Sequence, residues 1–285
     1  MTQTQRANAF LALHKAPGGF ILGNAWDAGS AILMAAEGFK AIATTSAGVA
    51  FSIGKPDYRV GDPRVAVSRE ETLARLAELT SAVDIPVNAD LEDGYGEAPE
   101  AVAETVRLAV AAGAAGGNIE DIGAGPDLYD EALSVERIAA ARAAAPHFVL
   151  NARTDALQIA GPEGLAEAIR RGNRYLEAGA DCVFVPGTGD LDLIRTLVRE
   201  IAGPLNIVVG LTSANATARQ MLEAGVQRIS TGGSIARAAL GLVRRAAREL
   251  LDEGTFGYGA GQIGQGELNA LYSTARLNAG TPEPR

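Results

Sequence analysis

Three carboxylates lie together at the end of one short apolar run. Residues 86–96 read PVNADLEDGYG, which places Asp90, Glu92 and Asp93 within four consecutive positions. Carboxylates this close repel one another and raise each other's pKa unless a cation neutralises them. Oxygen ligands without a nearby histidine or cysteine are typical of Mg²⁺ or Mn²⁺ sites rather than zinc sites. The sequence therefore predicts a Mg²⁺ site here, with Mn²⁺ as the alternative.

The two-residue period of a β-strand indicates which acids face this site. Side chains alternate between the two faces of a strand, so Asp90 and Glu92 lie opposite the apolar side chains of the run. The same alternation turns Glu120 of the segment GGNIED toward the same interior. We therefore predict that the metal ligands are Asp90, Glu92 and Glu120.

An arginine ends the next strand-like segment, FVLNARTDA. The alternation places Arg153 on the inward face together with Asp155. A guanidinium at this position is a planar, bidentate donor for a carboxylate or phosphoryl group. An ion pair of Arg153 with Asp155 or Glu120 is the alternative role, and the two roles can coexist.

Two glycine-containing turns offer backbone N–H groups to an anion. The segment TTSAGVA ends an earlier strand, and its residues 45–48 present hydroxyls and amides. The segment STGGSIARAA opens a helix after the last strand, where many barrels bind phosphate. Either turn is a candidate anion site.

The chain repeats an amphipathic helix, a glycine and an apolar strand. The glycines stand where a helix C-terminus favours a left-handed residue; they are Gly38, Gly113, Gly179 and Gly225. The predicted strands fall at 19–24, 40–45, 85–90, 116–121, 148–153, 182–187, 205–210 and 228–233. Strands that alternate with helices form parallel βαβ units, and this number in 285 residues predicts an α/β (β/α)8 TIM barrel. An open doubly wound sheet is the rival.

The segments between and beyond the strands complete this prediction. Helices are expected over 68–83 and 99–112, and Pro162 is expected to open another helix in its first turn. The loop 51–64 is rich in glycine, proline and charge, as active-site loops often are. We interpret residues 1–285 as one barrel domain with a C-terminal helical extension from about residue 253. Because a terminal helix on a glycine-rich arm often packs on a neighbouring subunit, a homo-oligomer is expected.

Composition excludes several classes of partner. The net charge is −9 and the pI is about 4.9, with no cluster of Lys and Arg, so neither nucleic acid nor an anionic membrane is an expected partner. No apolar run reaches the ~20 residues that span a bilayer, and the N-terminal segment lacks a secretion-signal pattern. The single cysteine, Cys182, fits a reducing compartment. A cytoplasmic location is therefore predicted.

Five motifs occur in an order that resembles one enzyme family. They are GNAWDAGSA, TTSAGVAFSIGKPD, PVNADLEDGYG, GAAGGNIED and NARTDA. This succession resembles the isocitrate lyase/phosphoenolpyruvate mutase (phosphonomutase) superfamily over about residues 20–160. The resemblance implies a (β/α)8 barrel that binds Mg²⁺ and 2-oxo acids or their enolates, and that makes or breaks C–C or P–C bonds. It also implies a tetramer, a dimer of dimers in which the helix after strand 8 is swapped.

Matched position by position, the resemblance also implies residue roles. Asp90 would contact the metal, and its water ligands would be held by Asp57, Glu92 and Glu120. The substrate carboxylate would be bound by Arg153, Thr45, Ser46, Ala47 and Gly48, with the pocket flanked by Trp26 and Asp27. The catalytic residues are then Arg153, Glu120 and Asp57. The remainder of the substrate is expected to contact Gly187, Asn206 and Thr212.

One departure from the family pattern narrows the predicted chemistry. Family lyases carry a Lys-Lys/Arg-Cys-Gly-His loop after strand 4, whose cysteine serves as an acid, whereas this chain has DIGAGPDLYDEALS. Decarboxylation needs no protein acid when the bond breaks. We therefore predict a Mg²⁺-dependent carbon–carbon lyase or decarboxylase that acts through an enolate on an oxaloacetate-like or methylisocitrate-like 2-oxo acid. The alternatives are a phosphonopyruvate-type P–C bond enzyme and an inactive barrel that only binds a 2-oxo acid or dicarboxylate.

Overall fold

Eight parallel strands close into a barrel in the order in which they occur along the chain. The computed structural model describes residues 1–57, 65–123, 125–211 and 216–278. The strands are β1 (Phe20–Asn24), β2 (Ile42–Ala43), β3 (Val87–Asp90), β4 (Gly116–Glu120), β5 (Val149–Arg153), β6 (Cys182–Phe184), β7 (Leu205–Val208) and β8 (Arg228–Ser230). Because β8 pairs with β1 in parallel, the sheet has no free edge. The predicted (β/α)8 TIM barrel is confirmed.

Helices surround this barrel. They are α1 (Gln3–Lys15), α2 (Ala28–Ala36), α3 (Ser46–Ser52), α4 (Arg69–Ala82), α5 (Pro99–Ala111), α6 (Glu131–Ala144), α7 (Ala156–Ile159), α8 (Gly164–Glu177), α9 (Leu191–Glu200), α10 (Ala218–Glu223), α11 (Ser234–Arg248) and α12 (Gln265–Asn278). No helix among the described residues is long and apolar enough to cross a membrane.

The predicted alternation of faces holds along β3. Val87, Ala89 and Leu91 are completely buried in one apolar cluster together with Leu76 and Val106 of the surrounding helices. The side chain of Asn88 instead points into the barrel, where it accepts a hydrogen bond from Arg228 across the lumen. This alternation directs the polar side chains of β3 toward the interior of the barrel and its mouth.

Glycines end four of the helices as the pattern predicts. Gly38, Gly113, Gly179 and Gly225 all have φ between 92° and 106°, in the left-handed region. At Gly113 a side chain would be strained by this φ and would also meet Thr80 Oγ1 at 2.9 Å. Each of these turns reverses the direction of the chain after a helix. The next strand therefore begins at the N-terminal end of the barrel and ends at the opposite end, where the other strands also end.

Two segments differ from the sequence-based boundaries. Pro162 lies in a 3-10 turn, Gly161–Glu163, and the α-helix α8 begins only at Gly164. The expectation that Pro162 lies in the first turn of a helix is therefore confirmed, although this turn is a 3-10 turn that comes directly before α8. The predicted active-site loop 51–64 is described only as far as Asp57, so residues 58–64 and also Thr212 lie outside the described residues.

The segment after β8 forms α11, a short irregular stretch and α12. α11 is exposed along most of its length, and Ala236 is its one buried residue. A glycine with φ of 68°, Gly254, ends the π-helical turn that follows α11. α12 folds back onto α2 of the same chain, where Tyr272 lies beside Gly29.

Candidate active site

A cavity of about 300 Å³ opens at the carboxyl ends of the strands and reaches into the barrel. One wall is polar and comes from β3, β4 and β5, with Asp90, Asn118 and Arg153. Another part of the lining is apolar and comes from residues in or after β6 and β7; it contains Phe184, Pro186, Val208 and Leu211. The remaining lining residues are Asn24, Thr45, Ser46, Ala47, Phe51, Asp57, Asn206, Arg228, Ser230, Gly232, Gly233 and Arg237.

Asp90 is the last residue of β3 and is held by both neighbouring strands. Its Oδ2 accepts a hydrogen bond from the backbone amide of Ser46 at 2.8 Å, and its Oδ1 accepts one from Asn118 Nδ2 at 2.7 Å. Its own backbone amide donates to Thr44 Oγ1 at 2.7 Å. These three bonds fix the orientation of the carboxylate at the cavity wall.

Arg153 lies between two carboxylates at the end of β5. Its Nη1 is 2.7 Å from Glu120 Oε2, while its Nε and Nη2 donate to the two oxygens of Asp155 at 2.8 Å each. The guanidinium also stands 5.4 Å from the ring centroid of Phe184. The alternative ion-pair role of Arg153 is thus realised, and the guanidinium lines the cavity as well.

Negative charge is crowded around Glu120. Burial raises the pKa of this carboxyl well above its usual value, Arg153 opposes the rise, and the charges of Asp155, Asp90 and Glu92 add to it. Each of these carboxylates therefore favours a nearby cation, because a positive charge lowers the cost of ionising its neighbours.

Glu92 stands in an unusual backbone conformation just beyond β3. Both Glu92 (φ 49°) and Tyr95 (φ 61°) are left-handed, which L side chains rarely adopt. Tyr95 donates its hydroxyl to Glu92 Oε1 at 3.0 Å and lies 2.6 Å from Thr72 Oγ1. Asp93 accepts hydrogen bonds from the Tyr95 amide and the Tyr129 hydroxyl, both at 2.9 Å. These hydrogen bonds stabilise the turn, in which Glu92 is not among the residues that line the cavity.

The two candidate anion-binding turns meet at the same cavity. Thr45 precedes α3, and its Oγ1 accepts a hydrogen bond from the Gly48 amide at 3.4 Å. Ala47 packs against Gly233 of the β8 turn so closely that a Cβ on Gly233 would lie 2.8 Å from the Cβ of Ala47. The sequence left these two turns as rivals, whereas the fold joins them in one site.

Four of the residues predicted to contact substrate are not among the residues that line the cavity: Trp26, Asp27, Gly48 and Gly187. Asp27 accepts a hydrogen bond from the Ser30 amide at 2.7 Å and caps α2. Trp26 and Gly48 pack against each other, because a Cβ on Gly48 would lie 2.9 Å from Trp26 Cβ. Their contact with substrate stays a prediction.

Several lining residues were not singled out in the sequence. Asn24 accepts hydrogen bonds from the amides of Thr231 and Gly232 at 2.9 Å each, which ties β1 to the turn after β8. Arg228 and Ser230 line the interior, and Arg237 lies on α11. The two-residue alternation that identified Asp90 also applies to the RIS segment of β8, so this signal could have identified Arg228 and Ser230.

The donor chemistry of this mouth fits a hydrated divalent ion. Asp57 and Asp90 line the cavity, and Asp90 and Glu92 both lie close enough to Glu120 for their charges to interact with it. Within the described part of the chain, no three Asp, Glu, His or Cys side chains are arranged to hold a metal by themselves. Because Mg²⁺ keeps several waters and often takes only one or two protein carboxylates, Asp90 suits direct contact and the other acids suit its water ligands.

Comparison with known proteins identifies relatives along most of the chain. The family model described as phosphoenolpyruvate phosphomutase matches residues 10–251. An uncharacterized Mycobacterium tuberculosis protein is 39% identical over 246 residues, which cover 86% of this chain and 89% of that protein. The 2-methylisocitrate lyase of Escherichia coli is 33% identical over 202 residues, 67% of this chain and 64% of the enzyme.

Solved structures give the same result. A crystal structure from Burkholderia cenocepacia, described as a candidate lyase/mutase, superimposes with a TM-score of 0.89 at 43% sequence identity. The match covers 95% of this chain and 96% of that one. The similarity therefore extends over nearly the whole chain.

Proposed function

Since this chain belongs to the phosphoenolpyruvate mutase/isocitrate lyase superfamily of lyases and mutases, we propose that it is a divalent-metal-dependent carbon–carbon lyase or decarboxylase. Its substrate is an oxaloacetate-like 2-oxo acid, or a methylisocitrate-like 2-hydroxy acid that is cleaved to a 2-oxo acid, and the reaction passes through an enolate. The observation that carries the proposal is that Asp57, Asp90 and Arg153 line one cavity together with the turn that begins α3.

Substrate binding rests on the two sides of the mouth. Arg153 is held rigid by Glu120 and Asp155, so its guanidinium is prepositioned for a carboxylate of the substrate. Ser46 and the Ala47 amide, at the start of α3, face the same space and donate to the other carboxylate oxygens. A divalent ion at Asp90, when bound, supplies Lewis-acid polarisation of the 2-oxo carbonyl and neutralises charge that develops on its oxygen.

The cavity lining favours a reaction without a strong protein acid at the bond-breaking step. Among the described residues that line it there is no cysteine, histidine or lysine. Cys182 is fully buried, and burial raises the pKa of its thiol to about 12, so it does not replace the missing acid. Loss of CO₂ leaves the electron pair in the enolate and requires a proton only afterwards, from water or a neighbouring carboxyl group.

The test is turnover of a panel of oxaloacetate, 2-methylisocitrate and phosphonopyruvate with and without EDTA. We expect chelator-sensitive loss of oxaloacetate or 2-methylisocitrate that Mg²⁺ or Mn²⁺ restores, and that Asp90→Ala abolishes while the folded protein is retained. Turnover of phosphonopyruvate alone would assign P–C chemistry instead. Calorimetric binding of oxalate with no turnover of any of the three would make the protein a binder and overturn the proposal.

A further inference from the structure

A buried arginine stands at the floor of the cavity, inside the barrel. Arg228 is the first residue of β8 and its exposed fraction is 1%. Its Nη1 donates to Asn88 Oδ1 at 3.2 Å, and its guanidinium lies 5.6 Å from the ring centroid of Phe10. Its Nε has no hydrogen-bond partner in the protein.

No carboxylate among the described residues forms an ion pair with Arg228, whereas two other arginines of the barrel pair with acids. Arg153 pairs with Glu120 and Asp155, and Arg171 pairs with Asp121 and Glu167. A buried charge without a counterion is strongly unfavourable, and burial lowers the pKa of Arg228 to about 10. The charge of Asp90 opposes this lowering of the pKa, so the acids of the protein compensate the positive charge at the floor only in part and without an ion pair.

The residue beside Arg228 adds unpartnered hydrogen-bonding groups to the same floor. Asn206 of β7 is in direct register with Arg228 of β8, and both side chains line the cavity. Asn206 is completely buried, yet neither its Oδ1 nor its Nδ2 has a hydrogen-bond partner in the protein. Buried amides are normally paired, so an unpaired one that faces a cavity indicates a ligand.

We propose that Arg228 and Asn206 form an anion-binding site at the floor of the cavity, which takes a carboxylate or a small inorganic anion. The guanidinium supplies the charge, and the Asn206 amide supplies a neutral donor from the neighbouring strand. The site is separate from Arg153 and the α3 turn, which lie at the mouth.

The continuity of the cavity connects this site to the proposed substrate. Arg228 and Asn206 line the same 300 Å³ space as Asp90 and Arg153. A dicarboxylic 2-oxo acid can then place one carboxylate at the mouth and the distal one on Arg228. This assignment of the ligand rests on the proposed function, whereas the anion site itself does not.

Thermal unfolding of the full chain in EDTA tests the site without a metal or turnover. Sodium formate, sodium succinate and sodium chloride are titrated separately, and saturable stabilisation measures binding. Saturation by formate and succinate but not chloride would identify a carboxylate site, and saturation by chloride would identify an inorganic anion site. If no anion gives saturable stabilisation, the proposal is overturned.

Three variants make the test specific. Arg228→Met removes the charge at similar length, and we expect anion affinity to fall at least about tenfold, as for loss of a charged hydrogen-bond partner. Arg171→Met is the matched control, because it also removes a buried arginine but one that pairs with acids outside the cavity. It should keep the wild-type anion response.

Asn206→Asp keeps the test decisive if Arg228→Met fails to fold. This change puts a carboxylate beside Arg228 and so supplies the counterion from within the protein. We expect a folded variant whose melting temperature responds to added anions more weakly than that of the wild type, because only Arg153 and the α3 turn at the mouth still bind them. A wild-type response in Asn206→Asp would overturn the proposal, while an anion response without any 2-oxo-acid turnover would overturn the proposed function and leave this site standing.

Discussion

Asp90 is the residue on which the proposed chemistry depends most. It has one carboxylate oxygen bonded to the Ser46 amide and the other to Asn118, so its position is set by three strands. A residue fixed in this way needs little rearrangement to bind an ion, which is the usual basis of an efficient metal site.

Replacing Asp90 with asparagine should therefore remove metal-dependent activity with little change in the fold. Asparagine keeps an acceptor for the Ser46 amide but lacks the negative charge that holds a dication. We expect kcat/KM to fall at least about 100-fold, since metal catalysis contributes several kcal/mol and each 1.36 kcal/mol is tenfold. The measurement is steady-state turnover as a function of Mg²⁺ concentration.

Asp93→Asn is the matched control for this change. It removes a charge from the same turn, but from a side chain that accepts hydrogen bonds from Tyr95 and Tyr129. The Mg²⁺ dependence should stay close to wild type. Equal losses in the two variants would show that the turn needs its net charge and that Asp90 has no special role.

His14 gives a prediction for acid stability. Its ring packs edge-to-face with Phe10 and Phe20, with centroids 4.7 and 5.0 Å away. Burial and, to a smaller extent, the charge of Arg228 lower the pKa of His14 from 6.5 to about 3, against the opposing effect of a hydrogen bond to the Phe10 carbonyl. The unfolded chain therefore binds a proton at mildly acidic pH that the folded chain does not.

The sign of the effect follows from this lowered pKa. The stabilisation that uncharged His14 gives the folded state is complete above about pH 6.5. As the pH falls toward 3, the free energy of unfolding decreases by at most ~1.4 kcal/mol per pH unit. In His14→Gln the free energy of unfolding should depend less on pH between about 5 and 7. Urea unfolding measures this pH dependence, and the control is His147→Gln, because His147 is exposed. Equal slopes in wild type and His14→Gln would contradict the prediction.

The sequence predicted the charged residues of the site better than its interior. Asp90, Glu120 and Arg153 were found because strand alternation and the carboxyl ends of strands both point to the mouth. Arg228 was missed because an arginine at the start of a strand is usually solvated, although the alternation along the RIS segment of β8 places it on the inward face. Glu92 was placed inward by alternation, but the left-handed turn directs it to Tyr95.

At the scale of the elements, the start of α4 is the clearest local signal. Ser68 accepts a hydrogen bond from the Glu71 amide, and Glu71 in return accepts one from the Ser68 amide. This capping box satisfies two donors that a helix N-terminus otherwise leaves unpaired. The sequence-based helix 68–83 therefore contains α4 together with its cap.

Ser68→Ala should lower the free energy of unfolding by ~1 kcal/mol, the usual cost of losing an N-cap side chain. Ser81→Ala, in the last turn of the same helix, is the control, because its hydroxyl only bonds back to Ala77 and Glu78 carbonyls within the helix. Chemical denaturation of both variants measures the difference. An unchanged free energy of unfolding in Ser68→Ala would mean that water replaces the side-chain cap at no cost in stability.

The strands were predicted in number and order, and their ends were predicted less well. Each predicted run is longer than the ladder that forms, and β2 keeps only Ile42 and Ala43. Thr44 and Thr45 leave the sheet because their side chains bond to Asp90 and to the first turn of α3. Such side-chain contacts come from the tertiary fold, and no local pattern in the sequence contains them.

At the scale of the whole molecule, α11 and the segment after it carry an unusual number of exposed apolar side chains. Val243 is 64% exposed, Leu251 86% and Phe256 72%. Contiguous exposed apolar surface of this kind typically marks a protein–protein interface. It supports the predicted homo-oligomer, and a second copy of this chain is the expected partner.

We expect wild-type protein to be a dimer or tetramer by light scattering, and Val243→Glu combined with Leu251→Glu to shift it toward the monomer. Charge in a buried apolar interface is costly because the ion loses its hydration. Val65→Glu is the control, since Val65 is an exposed apolar residue outside this segment. A monomeric wild type would contradict the prediction.

The unequal walls of the cavity have a consequence for enzyme engineering. The strands β3 to β5, which supply Asp90, Glu120 and Arg153, are distinct from the segments that supply Pro186, Val208 and Leu211. Replacing these three side chains changes the shape offered to a reactant without altering any acid or guanidinium. A library of variants at these three positions should therefore change substrate preference. The dependence of activity on the divalent ion should stay nearly constant, and few variants should be lost, because the charged residues are unchanged.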